Sequence, residues 1–227
     1  MAMTRSNVLL TPILDPEDMP PRQGGTRARR FSERLLGSIL WRLTRCGIHM
    51  SIILMTQENA QGTQTSDLPA DLEVSELTPT DIDDLLALQP DVTREQFIAE
   101  FDAGRLCFGL RHHGVLVGKV WCDLHAVSEP AIYRPLGPDE AYLFAAYTAP
   151  AFRGRNIAPA LRTACYRALR ARGKTLIWSF SNYHNGAARQ FKKKLGAIEG
   201  PVQIHVDLFR RWSIRCTLPK RSPRKTT

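Results

Sequence analysis

Apolar and polar residues alternate with two different periods from about residue 68 onward, which predicts strands interleaved with helices. An apolar run at 141–148 (AYLFAAYT) predicts a central strand. After a short polar turn, apolar residues recur at helical spacing from Ile157 to Arg172, and Gly173 follows where such a helix should end. The sequence therefore predicts a strand, a tight turn and a long helix in direct succession.

The whole pattern predicts the order β-α-α-β-β-β-α-β-α-β-β. Thr78 and Thr93 are each followed three residues later by an acid or amide, which is typical of a helix start. A proline-rich loop through 130–138 is expected to lead into the central strand. The other predicted elements are a strand at 72–77, helices at 78–88 and 93–102, a hairpin at 105–111 and 115–123, a strand at 175–180, a helix at 185–195, and strands at 202–208 and 212–216.

The residues before 68 do not follow this pattern of interleaved strands and helices. Residues 1–30 are rich in Pro, Gly and Arg without a clear period, so we expect them to be flexible. Residues 31–43 carry an apolar helical stripe surrounded by arginines. Two interpretations stay open: a helix packed on the domain or on a second subunit, or a basic helix (27–45) lying on an anionic membrane surface. A short strand at 48–56 and a polar linker at 57–66 follow.

Composition restricts the class of protein. The 227 residues, 43% of them hydrophobic, suffice for one core. Five cysteines without a CxxC pair argue against a disulfide framework or zinc knuckle and favour buried, reduced thiols. The sequence has neither an apolar run of about 20 residues nor a secretory signal pattern. We therefore expect a cytoplasmic protein.

The net charge of +9 is concentrated in residues 141–227, whereas residues 68–140 are acidic. A basic half suits a phosphate-bearing ligand and would steer its approach. Nucleic acid would also suit so basic a region, but the sequence contains no helix-turn-helix, finger or stacking-aromatic pattern. The turn 153–156 (RGRN) leads into a helix, whose first amides and positive dipole end favour an anion.

Two segments resemble motifs of the GNAT acetyltransferase superfamily. FRGRNIAPAL resembles motif A, with Arg153 at its first position and Ala158 at its last, although Asn156 stands where the family usually has glycine. NGAARQFKKKLGA, which begins at Asn185, resembles the family's later helix. The resemblance covers about 68–218 and implies the α/β GNAT acyltransferase fold, a mixed central β-sheet flanked by helices. It leaves 1–67 as a basic N-terminal extension and 219–227 as a basic tail.

The resemblance also implies a binding site for acetyl-CoA. The backbone of Ala146, Tyr147 and Thr148 would hold the pantetheine arm, and Asn185 would bond to its amides, unless it is simply a helix cap. Asn156 can supply the left-handed conformation that glycine would provide. The pyrophosphate would bind the backbone amides of Arg153, Gly154, Arg155, Asn156, Ile157 and Ala158.

The catalytic groups are less well marked. Lys192 occupies the position where the family often has a tyrosine that protonates the thiolate; the alternative is a solvated lysine of the basic run 192–194. Tyr183 is a second candidate donor, and Glu140 is the acid nearest to the central strand. Asp123 and His125 could relay a proton through water. No metal is expected.

The sequence thus predicts an N-acetyltransferase that acylates a primary amine directly from acetyl-CoA. Three alternatives stay open: a longer-chain acyltransferase at a membrane surface, a non-catalytic acyl-CoA-binding module, and, less favoured, a nucleic-acid-binding protein. The acceptor amine and the oligomeric state, with a homodimer as one option, are not specified by the sequence.

Overall fold

A computed structural model describes residues 48–59, 71–129, 132–183, 185–209 and 211–218 of the chain. The expectations for 1–47, for the linker from 60 to 66 and for the tail 219–227 lie outside the described residues. The strands are β1 (Ile48–Asn59), β2 (Leu72–Leu77), β3 (Leu106–His112), β4 (Val115–Asp123), β5 (Ala126–Glu129), β6 (Ile132–Pro135), β7 (Glu140–Thr148), β8 (Leu176–Asn182), β9 (Ile198–Leu208) and β10 (Trp212–Leu218). The α-helices are α1 (Ile82–Leu88), α2 (Arg94–Asp102), α3 (Ile157–Ala171) and α4 (Gly186–Lys194).

Eight strands form one mixed sheet in the order β10-β9-β1-β8-β7-β4-β3-β2. Neighbouring strands are antiparallel except β7 and β8, which are parallel. Since β7 and β8 are joined by α3, this pair is a βαβ unit at the middle of the sheet. The predicted mixed α/β architecture is confirmed.

Helices cover both faces of the sheet. On one face, α1 and α2 bury Leu85, Phe97 and Trp121 completely. On the other face, α3 buries Leu161, Leu169 and neighbouring side chains against β3, β4 and β7. The two cores fix the sheet between the helical layers, and the ends of β7 and β8 are therefore held in place from both sides.

The predicted helix starts are confirmed by their caps. The Thr78 amide donates to Asp81 Oδ2 (2.8 Å), and a short 3₁₀ turn (Pro79–Asp81) precedes α1. The Thr93 amide donates to Gln96 Oε1 (2.9 Å), and the Thr93 hydroxyl accepts from the Gln96 amide, which is a reciprocal capping box.

Two segments differ from the sequence-based expectation. The strand at the end of the N-terminal extension is longer than predicted, since β1 reaches Asn59, and it lies inside the sheet between β8 and β9. The sheet thus includes residues that precede the expected boundary at 68. The proline-rich loop contains the small hairpin β5–β6, which local composition concealed because Pro130 and Pro135 suggest a loop.

The cysteines are largely as expected. Cys107, Cys122 and Cys165 are free and buried, and burial raises the pKa of Cys107 and of Cys122 to about 12. Cys216 is an exception, because β10 is an edge strand and exposes it. None of the helices in the described part of the chain combines the length and apolarity needed to cross a bilayer.

Candidate acyl-CoA site

The turn between β7 and α3 has the conformation that an anion cradle requires. Gly154 (φ 79°) and Asn156 (φ 59°) both adopt left-handed backbone conformations. Asn156 therefore adopts the left-handed conformation that glycine would supply, as predicted, because asparagine tolerates this region better than most residues. Arg153 is fixed beside the turn, with its Nε donating to the Thr148 carbonyl (3.2 Å).

The amides of this turn lack acceptors. Among the described residues, no group accepts a hydrogen bond from the backbone N–H of residues 154–158. The first turn of α3 contains no acidic side chain, and Asn156 does not cap the helix with its own side chain. Five consecutive N–H groups at the positive end of a 15-residue helix therefore create a region of positive potential.

Next to this turn, the sheet opens. The parallel pairing of β7 with β8 ends at Leu143 and Ser179. Beyond that point, residues 144–148 pair only with β4, and residues 180–182 pair only with β1. A gap between the two strands therefore leads from the middle of the sheet to the start of α3.

A β-bulge shapes the β7 side of the gap. The β4–β7 register shifts between Lys119 and Trp121, and Ala145 has a positive φ of 43°. Lys119 is 2% exposed, and its Nζ donates to the Ala145 carbonyl (3.2 Å), which the bulge removes from the ladder. This role of Lys119 could not be predicted, because a lone lysine in an apolar strand is not a motif.

The backbone groups predicted to hold the pantetheine arm divide into two sets. The Ala149 amide donates to the Val117 carbonyl (2.9 Å), so the alternation of an antiparallel ladder turns the backbone of Tyr147 towards β4 as well. Ala146 and Thr148 then face the gap. The prediction for Tyr147 is thus wrong for its backbone, and only its ring, over which Arg153 lies at 5.9 Å, remains near the turn.

Lys192 is buried at the β8 side of the gap. Its Nζ donates to Ser179 Oγ (2.8 Å), Ser181 Oγ (2.7 Å) and the Phe180 carbonyl (3.0 Å). The Tyr183 amide donates to the Ile52 carbonyl, so the same alternation directs the Phe180 carbonyl away from β1 and into the gap. The ammonium group thus lies where β7 and β8 separate.

The alternative, that Lys192 is a solvated lysine of the basic run, is wrong. Lys193 and Lys194 are exposed, but Lys192 is only 5% exposed. Its position in the helix explains this, because Lys192 follows Ala188 by four residues and lies on the face of α4 that packs on the sheet. Burial, together with the nearby Arg162, lowers the pKa of Lys192 to about 7.

A buried carboxylate from β1 balances this charge. Glu58 is fully buried, and Arg162 of α3 donates to both of its oxygens (2.8 and 2.6 Å). The hydroxyls of Tyr166 and Ser179 also donate to it. Burial alone would raise the pKa of Glu58, but the Arg162 guanidinium holds it well below its usual range. Glu58 was assigned to a polar linker because its partners are distant in sequence.

The other predicted donors are placed differently. Asn185 caps α4, with its Oδ1 accepting from the Ala188 amide (3.1 Å), so the helix-cap interpretation is confirmed. The Tyr183 ring is 41% exposed, and the Arg189 guanidinium stacks on it at 5.1 Å. Arg189 also forms an ion pair with Glu199 of β9 (2.8 Å), so Arg189 connects the start of α4 to β9.

Glu140 is poorly suited to act as a base. Arg134 binds its two oxygens (2.9 and 3.1 Å), and the Gly137 amide and the Trp178 indole also donate to it. These donors, Arg134 foremost, lower its pKa to about 2. It pairs with Leu176, three residues before the strands separate. Asp123 is similarly occupied by Arg105 Nε (3.1 Å) and by the amides of His125 and Ala126.

An aromatic surface with one unpaired acid lies beside the gap on the face opposite Lys192. The Tyr142 ring stacks on Phe144 (5.4 Å) and meets Phe180 edge-on (5.8 Å). The Tyr142 hydroxyl donates to Glu129 of the β5–β6 hairpin. Glu129 has no ion-pair partner among the described residues, and burial raises its pKa. The sequence did not indicate Glu129, because the hairpin that carries it was predicted as a loop.

The two histidines of the β3–β4 turn are not isolated. His112 Nε2 lies 3.0 Å from Asp71 Oδ2, and the His112 ring contacts His113 and Phe152. The ligand atoms of Asp71, His112 and His113 lie within 4.8 Å of one another. This surface group is outside the gap between β7 and β8.

Comparisons with known proteins agree with this architecture. The acetyltransferase (GNAT) family matches residues 73–197. A comparison with curated proteins gave no match. Among solved structures, a putative GNAT acetyltransferase from Novosphingobium aromaticivorans is 21% identical, with 70% of this chain and 65% of that chain covered and a TM-score of 0.51.

Two further structures are similar. A functionally unknown conserved protein from Staphylococcus epidermidis is 8% identical (79% of this chain, 76% of that chain, TM-score 0.51). The ribosomal-protein-S18-alanine N-acetyltransferase from Escherichia coli is 20% identical (55% and 76%, TM-score 0.46). At such identities the two structures with a TM-score of 0.51 bear on the fold alone. Because the family match covers more than half of the chain, this protein belongs to the GNAT acetyltransferase family.

Proposed function

We propose that this protein transfers an acetyl group from acetyl-CoA directly to a primary amine. The observation that carries the proposal is the row of amides at 154–158 that lack acceptors among the described residues. Arg153 precedes this row, Arg155 lies within it, and the row adjoins the gap in the sheet. A diphosphate fits this row in charge and hydrogen-bonding capacity. The gap beside it can take an extended pantetheine arm along Ala146 and Thr148.

Lys192 is the proposed proton donor. When the amine nitrogen bonds to the thioester carbon, the carbon–sulfur bond breaks and its electron pair goes to sulfur. The buried ammonium can give its proton to that thiolate, and a pKa near 7 makes it a better acid than an ordinary lysine. Three acceptors and the nearby Glu58 hold the ammonium in place before the reaction.

Glu129 is the proposed acceptor of the amine's proton. Its raised pKa and its lack of an ion-pair partner among the described residues suit a base that receives an ammonium substrate. Arg105 forms its ion pairs with Glu100 and Asp123 rather than with Glu129, so the Glu129 carboxylate can still attract a cation. The rings of Tyr142 and Phe144 add a surface on which an ammonium or its apolar neighbour can pack.

Calorimetric titration with acetyl-CoA tests the cofactor site. We expect Arg155→Glu to abolish measurable binding, since it places a carboxylate beside the amides. Arg170→Glu makes the same charge change at the exposed far end of α3 and should leave the affinity unchanged. Equal affinity for the native protein and Arg155→Glu would contradict the proposed cradle.

A thiol-release assay separates this function from its alternatives. Free CoA should appear when acetyl-CoA is mixed with a panel of primary amines. A preference for octanoyl-CoA or palmitoyl-CoA would instead identify a longer-chain acyltransferase. Binding of CoA without thiol release from any donor or amine would identify a non-catalytic module.

A further inference from the structure

The sheet has an apolar face that the described residues cover only in part, since Leu54 at one end of it is buried (3% exposed). In β1, β9 and β10, every second residue is apolar or a cysteine, and the three strands are in register. The aligned sets are Ile48, Leu208 and Trp212; Met50, Val206 and Ile214; Ile52, Ile204 and Cys216; and Leu54, Val202 and Leu218. All twelve side chains therefore point to one side of the sheet.

Burial shows that this is the open side. Trp212, Ile214 and Leu218 are 72%, 57% and 46% exposed. On the opposite side of β9, the polar residues Gln203 and His205 are each only 8% exposed. Along β9, the apolar Val202, Ile204 and Val206 are more exposed than Gln203 and His205 on the other side. This is the reverse of what a sheet in water requires, so the apolar face needs a cover.

The helical layer points to what the cover is. Leu54 is paired with Ser181, whose hydroxyl binds Lys192 of α4, so the apolar face lies on the same side as α3 and α4. Those helices lie over the centre of the sheet, whereas β9 and β10 extend it beyond them. One further helix placed alongside α4 would complete the layer.

We propose that residues 31–43 of this chain form that helix and dock on the apolar face of β1, β9 and β10. Their apolar stripe comprises Phe31, Leu35, Leu36, Ile39, Leu40 and Leu43. Only residues 44–47 separate the segment from β1, a usual length for a helix–strand connection. A 13-residue helix is about 20 Å long, as is the strand span from residue 48 to 54, at about 3.3 Å per residue.

Thiol cross-linking in the full-length chain tests the docking, because Cys216 already lies on the face. In a Cys46→Ser background, Ile39→Cys places a thiol at the centre of the stripe. Arg34→Cys, on the opposite side of the same helix, is the matched control. A short bismaleimide should link Ile39→Cys to Cys216 within one chain, about 100-fold faster than between chains at micromolar concentration.

The other outcomes overturn the proposal. Links that form between chains, together with a dimeric mass, would mean that a second copy covers the face. Equal linking of Ile39→Cys and Arg34→Cys would mean that the stripe does not face the sheet. Loss of the intrachain link when phosphatidylcholine–phosphatidylglycerol vesicles are added, with capture of the protein by them, would mean that the stripe binds lipid.

A second variant tests whether the cross-link depends on the apolar face itself. Ile214→Asp places a charge in the middle of the face and should abolish the intrachain link, while acetyl-CoA affinity at the distant turn is retained. If the link persists in Ile214→Asp, the segment is close to Cys216 for another reason, and the proposal fails.

Discussion

Lys192 and Glu58 approach each other to 3.9 Å (Nζ to Oε1) in the interior, one from α4 and one from the N-terminal strand β1. Ser179 bridges them, donating its hydroxyl to Glu58 and accepting from Lys192 (2.8 Å). Arg162 occupies the other side of the carboxylate (2.6 Å). The strand that precedes the family's matched region therefore helps to set the charge at the point where the sheet opens.

The role of Lys192 can be tested with an acceptor from the amine panel. We expect Lys192→Gln to lower kcat about 10²- to 10⁴-fold, with acetyl-CoA affinity unchanged. In the native protein, kcat should fall as pH rises above about 7, because only the protonated lysine can donate. Lys193 is an exposed neighbour, so Lys193→Gln is the control. This variant should keep both the rate and the fall in kcat as pH rises above about 7. An unchanged rate in Lys192→Gln would remove the lysine from the mechanism.

Glu58 should be far more important for stability than an exposed acid. Glu58→Gln leaves Arg162 buried without its counter-charge, which we expect to cost about 3–5 kcal/mol in the free energy of unfolding. Glu76→Gln breaks the half-exposed pair with Arg172 and should cost about 0–1 kcal/mol. Urea unfolding of both variants measures the difference. Equal costs would show that β1 is not tied into the core as described.

Asn156 should accept glycine but not a β-branched residue. Its φ of 59° is open to glycine without strain, so Asn156→Gly should keep both stability and acetyl-CoA affinity. Asn156→Val should lose about 1–2 kcal/mol of stability and weaken the binding of acetyl-CoA, since the turn must change its path. Thermal unfolding and calorimetry would detect both effects. Tight acetyl-CoA binding by the valine variant would show that the turn conformation is unimportant.

Glu140 should contribute to stability in a defined pH range. Its pKa falls from the ordinary 4.5 to about 2 on folding, so its ionised form stabilises the native state above about pH 4.5. That contribution is lost as pH falls from 4.5 towards 2. The stability difference between the native protein and Glu140→Gln should therefore be largest at neutral pH and shrink across this range. A pH-independent difference would mean that the lost hydrogen bonds, rather than the charge, account for it.

The proposed role of Glu129 can be distinguished from a role in cofactor binding, because its substitution should affect the amine reaction and not the binding of acetyl-CoA. We expect Glu129→Gln to reduce turnover of a primary amine while acetyl-CoA binds as before. The loss should be partly overcome at higher pH, where more of the amine is already deprotonated. Glu73→Gln is a control on the exposed edge strand β2. A normal rate in Glu129→Gln would assign the proton to another acceptor.

The sequence predicted those parts of the fold that local chemistry determines. The reciprocal cap at Thr93, the end of α3 near Gly173 and the left-handed turn at Asn156 each follow from a few neighbouring residues. The structure confirms them. The motif A turn could be found for the same reason, since it consists of one contiguous strand, turn and helix.

The missed features depend on contacts between distant residues. Glu58 lies in a polar stretch and gains its significance only from Arg162, Ser179 and Lys192. The burial of Lys192 could have been predicted, because this residue falls on the face of α4 that packs on the sheet. The exposed lysines that follow it concealed the helical period of apolar residues. Glu129 was hidden because the prolines that follow it, Pro130, Pro135 and Pro138, favoured a loop.

The position of β1 has a consequence for synthesis of the chain. It is made before every other strand described, yet its partners β8 and β9 are among the last to leave the ribosome. Until then, a strand with Ile48, Met50, Ile52 and Leu54 has no sheet to join. Nascent chains arrested before residue 198 should therefore depend on a holding chaperone, and release should coincide with closure of the sheet around β1.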